Sequence, residues 1–414
     1  MYHPKTRWQL TQIDEEHVEA LARDVGVHPT IARILALRGL RDKEQVFRFL
    51  HVSHDGLYDP FRLHGMQEAV TRIRRALEMD EKIWIYGDYD ADGVSGTSAM
   101  IETFRLLGKE VSYYIPNRFT EGYGLNKAAL EAAAAQGISL VITVDTGITA
   151  VEEAEWAQTR GLDLIITDHH EPPSVLPHAM AVINPKQPAC DYPNDMLAGV
   201  GVTFKLAHAL LGRVPDELLP LAALGTIADL VPLVDENRVI ATLGLKKINE
   251  RQHTGINALL DVAGLSDREV TAGHVGFALG PRINASGRLD TAKPAVQLLT
   301  SRSYDEALIL AKQLDDINQE RQKLVDEITE MAISEVTVNE DEHRYAIVLA
   351  RPGWNVGVLG IVASRLVERF YRPAVVLGVD ETSGQAKGSA RSIEGFDLYR
   401  ALSKFQELLP HFGG

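Results

Sequence analysis

A chain of 414 residues is long enough for two or three domains, and its hydrophobic content is ordinary for a globular protein. With 57 Asp and Glu against 42 Lys and Arg, the formal net charge of −15 argues against a binder that works through a simple basic patch. A single cysteine, Cys190, excludes a disulfide framework and points to a reducing compartment. Met1–Lys5 carries no apolar leader and no apolar run reaches bilayer length, so the expectation is a cytoplasmic protein without membrane association.

In chain order, residues 1–78 read as a mainly helical segment, with candidate helices at Val18–Val25, Pro29–Arg38 and Lys43–Leu50 and no visible chemistry. Met66–Leu77 leads into the first strand. From Lys82 the pattern becomes strand, loop, helix, repeated. Strands are predicted at Lys82–Tyr86, Val111–Ile115, Leu140–Val144, Leu164–Thr167 and Ala181–Ile183, and helices at Gly93–Leu107, Asn126–Gln136 and Ala150–Arg160. Alternation on this scale predicts an α/β domain over residues 79–300, built on a doubly wound, mostly parallel sheet.

Three of these strands end in chemistry. Ile83–Gly87 is an apolar run followed by Asp88, Asp90 and Asp92 at alternate positions. Leu140–Val144 runs into Asp145, and Leu164–Thr167 into Asp168, His169 and His170. A lone Asp-x-Asp is more often a solvated helix cap. Repeated on three similar strands, however, it predicts convergence, because open parallel sheets bind ligands outside the carboxyl ends of their strands. Clustered carboxylates repel one another unless a cation joins them. Carboxylates with imidazoles suit Mn²⁺, Mg²⁺ or Zn²⁺, and an aspartate-rich set for two ions is typical of phosphoester chemistry.

The remaining candidates each keep two readings. The loop Pro116–Leu125 carries Arg118 and Tyr123 in what is either an ordinary turn or a functional loop, and glycines near 198–202 begin a helix for close packing. Asp229, before Pro232 at the end of an apolar helical segment, is either a capping group or a fourth ligand. Gly276–Arg288 is a glycine-rich loop whose Arg282 and Arg288 either grip phosphate or form structural salt bridges. A connector helix is predicted from Tyr304 to about Val336, within residues 301–338. Its expected apolar stripe is Leu310, Leu314, Ile317, Leu324, Ile328 and Met331, interrupted by Arg321. A second, smaller α/β domain over 339–414 has strands Tyr345–Ala350 and Ala374–Leu377 around a helix at Val358–Tyr371. Its loop Ala386–Ser392 offers Ser389 and Arg391.

Asp-Tyr-Asp-Ala-Asp-Gly, Val-Asp-Thr-Gly-Ile, Thr-Asp-His-His and Ile-Ala-Asp-Leu-Val-Pro, in this order, resemble the motifs of the Asp-His-His phosphoesterase superfamily. Asn-Arg-Phe-Thr-Glu-Gly-Tyr-Gly-Leu and Gly-Pro-Arg-Ile-Asn-Ala-Ser-Gly-Arg are similar to the RecJ family of bacterial single-strand-specific exonucleases in particular. The resemblance implies two divalent ions, Mn²⁺ or Mg²⁺, held by Asp90, Asp92, Asp145, His169 and Asp229, with Asp145 bridging. It gives His170 the scissile phosphate, with Asp88 and Asp168 beside it as catalytic groups. Tyr86 stands where some relatives carry a histidine ligand, so either Asp88 compensates or that site binds more weakly. Arg118, Tyr123, Arg282, Arg288, Ser389 and Arg391 become contacts to a DNA backbone or its terminal 5′-phosphate.

The implied activity is 5′→3′ hydrolysis of single-stranded DNA to 5′-mononucleotides in repair and recombination, by a monomer acting in a groove floored by the long helix. The implied partners are a single-strand-binding protein and a RecQ-type helicase. The alternatives are a phosphodiesterase for short oligonucleotides or cyclic dinucleotides, and a non-catalytic replication scaffold. In the resembling family the pair Gly413–Gly414 continues into a His-containing motif and an oligonucleotide-binding barrel, which predicts a truncated chain of low processivity.

Overall fold

The structure is a computed structural model and describes residues 9–339, 341–405 and 409; Met1–Lys5 and Gly413–Gly414 lie outside them. Three short helices open it: α1 Glu15–Val25, α2 Pro29–Leu37 and α3 Lys43–Leu50. Side chains of Asp14, His28 and Asp42 cap their N-termini. They bury a small core of their own around Val18, Leu21, Ala32, Leu35 and Val46. α4, Met66–Glu78, then crosses to the sheet.

That sheet has five strands, all parallel: β1 Ile83–Gly87, β2 Ser112–Tyr114, β3 Leu140–Val144, β4 Asp163–Thr167 and β5 Ala181–Ile183. β1 and β3 are buried at every position, as apolar runs covered on both faces must be. One face packs Ile83, Ile85, Leu140, Ile142 and Val144 against α4 and against α8, Gly199–Leu211. The other packs Trp84, Tyr86, Val141 and Ile166 against α6, Lys127–Ala135, and α7, Val151–Thr159. α5, Ala91–Leu106, follows β1 and carries its buried face into a third cluster. There it meets α9 Leu219–Ala228, α10 Asp235–Asn249 and α11 Thr254–Val262.

Two segments expected as loops are regular. Gly276–Arg288 is helical: from a single turn α12, Ala272–His274, just before it, the chain runs through a π-helical turn at Val275–Leu279 into α13, Gly280–Leu289. Pro281 lacks the N–H that would bond back one turn, and the ladder widens just before it. Next come α14, Lys293–Thr300, and α15, Tyr304–Val338, whose 35 residues span about 52 Å. The buried face of α15 is Ala307, Ala311, Leu314, Asn318, Val325, Ile328, Thr329, Ala332 and Val336. Only Leu314 and Ile328 belong to the expected stripe, because small residues lie against the neighbouring helices while Met331 stays exposed.

The second sheet is β6 Ile347–Pro352, β7 Ala374–Val379 and β8 Ala386–Arg391, with α16, Leu359–Phe370, against it and a short α17, Leu398–Ser403, after it. β8 is the other corrected loop: it pairs antiparallel with β7 through six positions. Its small residues are needed for that pairing, since a Cβ at Gly388 would lie 1.9 Å from the Val376 carbonyl oxygen. Among the described residues no helix is long and apolar enough to cross a membrane.

Candidate metal centre and nucleic-acid interface

The strand order β2-β1-β3-β4-β5 reverses direction between β1 and β3. Such a switch point leaves a crevice at the carboxyl ends of the strands. Register then fills it. Gly87 pairs with Val144, and Val144 with Thr167, so the next residues, Asp88, Asp145 and Asp168, emerge side by side.

Helix ends bring up the other groups. Asp90 caps α5, its Oδ1 accepting the Asp92 and Gly93 N–H at 2.9 and 3.0 Å. Asn284 of α13 takes the Ala91 N–H at 2.7 Å and so docks that helix onto the same turn. Asp92 is held by the N-terminus of α8, where Gly199 and Val200 donate to Oδ2 and Oδ1 at 2.7 and 2.9 Å. A Cβ at Gly199 would lie 2.5 Å from Asp145 Oδ1, so glycine is what lets the positive end of α8 reach both acids. Asp145 has φ 61°, a left-handed conformation that turns its carboxylate back into the crevice. The glycines near 198–202 thus serve the close packing expected of them.

Among the described residues three groups of potential ligands result: Asp88, Asp90 and Asp145; Asp92, His169 and Asp229; and Asp145, His169 and His170. Within each, one ligand atom per residue lies within 4.8 Å of the others. His169 Nε2 is 3.2 Å from Asp145 Oδ1, 3.7 Å from Asp229 Oδ2 and 3.8 Å from Asp92 Oδ2. Asp229 follows the last residue of α9, where the carbonyl end of the helix disfavours a negative charge. It is the C-cap residue of that helix, and its carboxylate lies beside His169 among the candidate ligands.

Electrostatics favour a bound cation. Burial, then the charges of neighbouring aspartates, hold the Asp88 and Asp145 carboxyls well above the usual carboxylate range. The same causes push Asp92 and Asp229 up to about 7. Asp88 Oδ1 and Asp145 Oδ1 are buried with no hydrogen-bond donor. Burial also lowers His169, which leaves a neutral imidazole ready to ligate. Hard oxygens, two imidazoles and orphaned buried carboxylate atoms suit Mn²⁺ or Mg²⁺.

Asp168 departs from expectation. Its Oδ1 accepts the His169 and His170 N–H at 2.7 and 3.2 Å and lies 2.7 Å from His170 Nδ1; its Oδ2 accepts the Ile148 N–H at 2.9 Å. Burial opposes ionisation of Asp168, yet the His170 hydrogen bond and charge hold it below its ordinary value. With both oxygens filled and the side chain 1% exposed, Asp168 orients His170 and is no longer a candidate to meet substrate. Burial likewise opposes protonation of His170, and the Asp168 contact raises it nonetheless. Tyr86 offers no ligand either: its hydroxyl bonds to the Gly124 carbonyl at 2.9 Å on the far face of β1.

Arginines and aromatic rings border the acids. Arg118 lies over the Tyr89 ring at 5.3 Å, Tyr89 meets Tyr123 edge-on at 6.4 Å, and Tyr123 Oη is 3.2 Å from His170 Nδ1. Tyr89 and Asn284 escape a reading of the sequence, though each sits inside a motif whose charged neighbours stand out. Arg282 is corrected to its structural alternative, since its Nε pairs with Asp315 of α15 at 2.8 Å and its Nη1 with the Ala278 carbonyl at 2.9 Å. Arg288 carries no carboxylate partner among the described residues; its Nη1 donates to the Gly357 carbonyl at 3.3 Å, joining the two sheets' halves of the molecule. Burial, then the nearby Arg118, Arg321 and Arg391 charges, push it down to about 10, with Asp90 opposing. Ser389 and Arg391 on β8 flank the first turn of α16: a Cβ at Gly360 would meet Ser389 Oγ at 3.4 Å and an Arg391 guanidinium nitrogen at 3.2 Å.

Known proteins share this fold. Residues 82–226 match the DHH family, N-terminal domain, and residues 342–414 match the DHHA1 domain. The single-stranded-DNA-specific exonuclease RecJ of Bacillus subtilis is 53% identical over 414 residues, which are 100% of this chain and 52% of that protein. RecJ of Escherichia coli is 38% identical over 413 residues, 93% of this chain and 70% of that protein. The crystal structure of RecJ in complex with Mn²⁺ from Thermus thermophilus superposes with a TM-score of 0.83 at 31% identity, covering 98% of this chain and 58% of that one. The chain spans about half the length of the Bacillus relative, 52% of it. It belongs to the RecJ family of DHH proteins.

Proposed function

We propose that this chain hydrolyses phosphodiester bonds of single-stranded DNA from the 5′ end, releasing 5′-mononucleotides, with two divalent ions, Mn²⁺ or Mg²⁺. The observation that carries this is the crevice itself, with buried and undonated carboxylate oxygens on Asp88 and Asp145 beside His169. RecJ from Thermus thermophilus is described with Mn²⁺, and the donor set here has the same hard character. When bound, a pair of such ions supplies an activated water and neutralises the leaving oxygen at phosphorus.

The chain's own groups do the rest. Asp88, Asp90 and Asp145 would hold one ion, and Asp92, His169 and Asp229 the other, with Asp145 between them. His170, kept in one orientation by Asp168, would face the phosphate and donate to its developing charge. Arg118, Arg288, Ser389 and Arg391 would hold backbone and terminal phosphate through charge-assisted hydrogen bonds. Tyr89 and Tyr123 stand where an unstacked base would pass, a contact that a paired strand cannot make. Repair and recombination chemistry calls for a helicase to supply such strands and a protein that coats them. A reducing, cytoplasmic setting fits the free Cys190.

Incubation of the chain with a 5′-phosphorylated single strand, its duplex form and a dinucleotide, in Mn²⁺ and in EDTA, tests the reading. Mn²⁺-dependent mononucleotide release from the long single strand is the expected result. Release from the dinucleotide alone would move the assignment to a small-substrate phosphodiesterase, and no release from a folded, Mn²⁺-binding chain would remove the enzyme reading.

A further inference from the structure

Asp92 and Asp229 reach the crevice from turns far apart in the chain. α8 has no side-chain cap of its own at Ala198. Its first N–H groups, those of Gly199 and Val200, are taken by Asp92 instead, so the place of that carboxylate follows the start of α8. Asp229 stands at the end of α9, and the chain leaves it through Leu230, at φ 63°, and an irregular stretch up to Val234. Asn237 joins the two turns. It lies in the first turn of α10, fully buried, and its Nδ2 donates to the Met196 carbonyl at 2.5 Å and to the Pro232 carbonyl at 3.1 Å. Met196 lies three residues before Gly199, and Pro232 three after Asp229. The Met196 N–H is held as well, by Oδ1 of the buried Asn194 at 3.2 Å. The neighbouring Glu236 faces elsewhere: it bonds the Tyr58 N–H, the Tyr192 hydroxyl and Lys205, none of which lies in either turn.

We propose that Asn237 is a positioning residue for the metal centre. By holding both carbonyls it sets the distance between Asp92 and Asp229, and so shapes the group that His169 completes, its Nε2 lying 3.8 Å from Asp92 Oδ2 and 3.7 Å from Asp229 Oδ2. The inference rests on the proposed function for its metals, and adds to it a residue outside every motif of the site. Asn237 acts through these backbone turns rather than as a ligand. Hydrogen bonds behind metal ligands orient them, and their loss weakens metal binding by about 10- to 100-fold. The group of Asp88, Asp90 and Asp145 is tied differently, its Asp90 turn being docked by Asn284 of α13, so the effect of Asn237 should fall on one ion.

Mn²⁺ binding is measured without DNA, from the electron paramagnetic resonance signal of the free ion, for the wild type, Asn237→Ala, Asp229→Asn and the double variant. Urea unfolding in EDTA, and kcat and KM on a 5′-phosphorylated single strand, accompany it. Asn237→Ala should weaken one of two Mn²⁺ equivalents by about 10- to 100-fold, the one that Asp229→Asn also loses. In the double variant the remaining equivalent should bind as it does in Asp229→Asn alone. Added Mn²⁺ should restore most of kcat in Asn237→Ala, while KM for the strand stays within about twofold. Glu236→Ala, which unfolds more easily, should keep the wild-type Mn²⁺ affinity. Unchanged Mn²⁺ affinity in Asn237→Ala, whatever its loss in unfolding or KM, would make Asn237 a packing residue and overturn the proposal. So would equal weakening of both equivalents, or weakening shared by Glu236→Ala, since either marks a general loosening. If the alanine variant does not fold, Asn237→Ser, which keeps one hydroxyl donor, is read by the same criteria with a smaller loss. Should none of these proteins cleave single strands, the Mn²⁺ titrations still decide the role of Asn237, and only the exonuclease reading fails.

Discussion

Asp145→Asn should reverse the order of stability between wild type and variant when Mn²⁺ is added. Asp145 sits within 4.8 Å of ligand atoms on Asp88 and Asp90, and 3.2 Å from His169 Nε2. Two ionised carboxylates at that separation repel by about 3.5 kcal/mol at an effective dielectric of about 20. Part of this is avoided by retaining a proton, so the relief on neutralisation is about 1–2 kcal/mol. Asparagine also keeps the backbone at φ 61°, a conformation it adopts readily, whereas alanine there adds roughly 1–2 kcal/mol of strain. In EDTA the asparagine variant is therefore expected to melt at or slightly above the wild type, and the alanine variant below it.

Mn²⁺ inverts this. A ligand at about a hundred times its Kd stabilises by roughly 2.7 kcal/mol, about 5 °C for a domain of this size. The variant, which keeps only two carboxylates at one site and loses the shared oxygen, should gain little. Differential scanning fluorimetry in EDTA and in increasing Mn²⁺, beside single-strand cleavage, measures both arms. An asparagine variant that is destabilised in EDTA and still gains the wild-type increment in Mn²⁺ would refute the shared-ligand assignment. So would retention of more than about a few per cent of the wild-type cleavage rate, given how much of this barrier the ions carry.

Other outcomes follow from named contacts. Arg391→Ala should lose discrimination between 5′-phosphate and 5′-hydroxyl ends more than it loses strand binding, as competition assays at fixed salt would report; equal losses would count against a terminal pocket. Lys205 and Glu236 form a fully buried pair at 2.8 Å, and Glu236 also accepts from the Tyr58 N–H and Tyr192 hydroxyl. Glu236→Ala should cost about 3–5 kcal/mol in urea unfolding, while combining it with Lys205→Met should recover part of that loss. His253 caps α11 by accepting the Ile256 N–H at 3.2 Å, and burial pushes it down to about 4. The unfolded chain binds that proton near pH 6.5 and the native chain near 4, so stability falls as pH drops between those values. His253→Asn keeps the cap and should flatten this fall by about 1–2 kcal/mol between pH 7 and 5; an unchanged slope would place the acid sensitivity elsewhere.

What is legible in the sequence depends on locality. β1, β3 and β4 are continuous apolar runs ended by acids, so both the sheet and the convergence of Asp88, Asp145 and Asp168 can be read from spacing. Asp229 and His169, 60 positions apart, meet through the packing of α5, α8 and α9 on one another, which no local pattern encodes. The role of Asp168 is misread for the same reason, since its ligand-like neighbours hide that both its oxygens are spent on backbone and ring N–H groups. Small residues mislead twice. Gly and Ser in 276–288 and 386–392 suggest loops, but there they permit close helix and strand approach instead. Arg282 and Arg288 are indistinguishable as letters; Asp315 on α15, 33 positions away, neutralises one of them and leaves the other available to an anion.

The central claim is tested most directly by one strand labelled at its 5′ end in one preparation and its 3′ end in the other, digested by this chain in Mn²⁺. The account predicts that the 5′ label leaves at once as a labelled mononucleotide, while the 3′ label persists on progressively shorter fragments, and that EDTA stops both. Immediate release of the 3′ label, or internal fragments carrying either label, would contradict it.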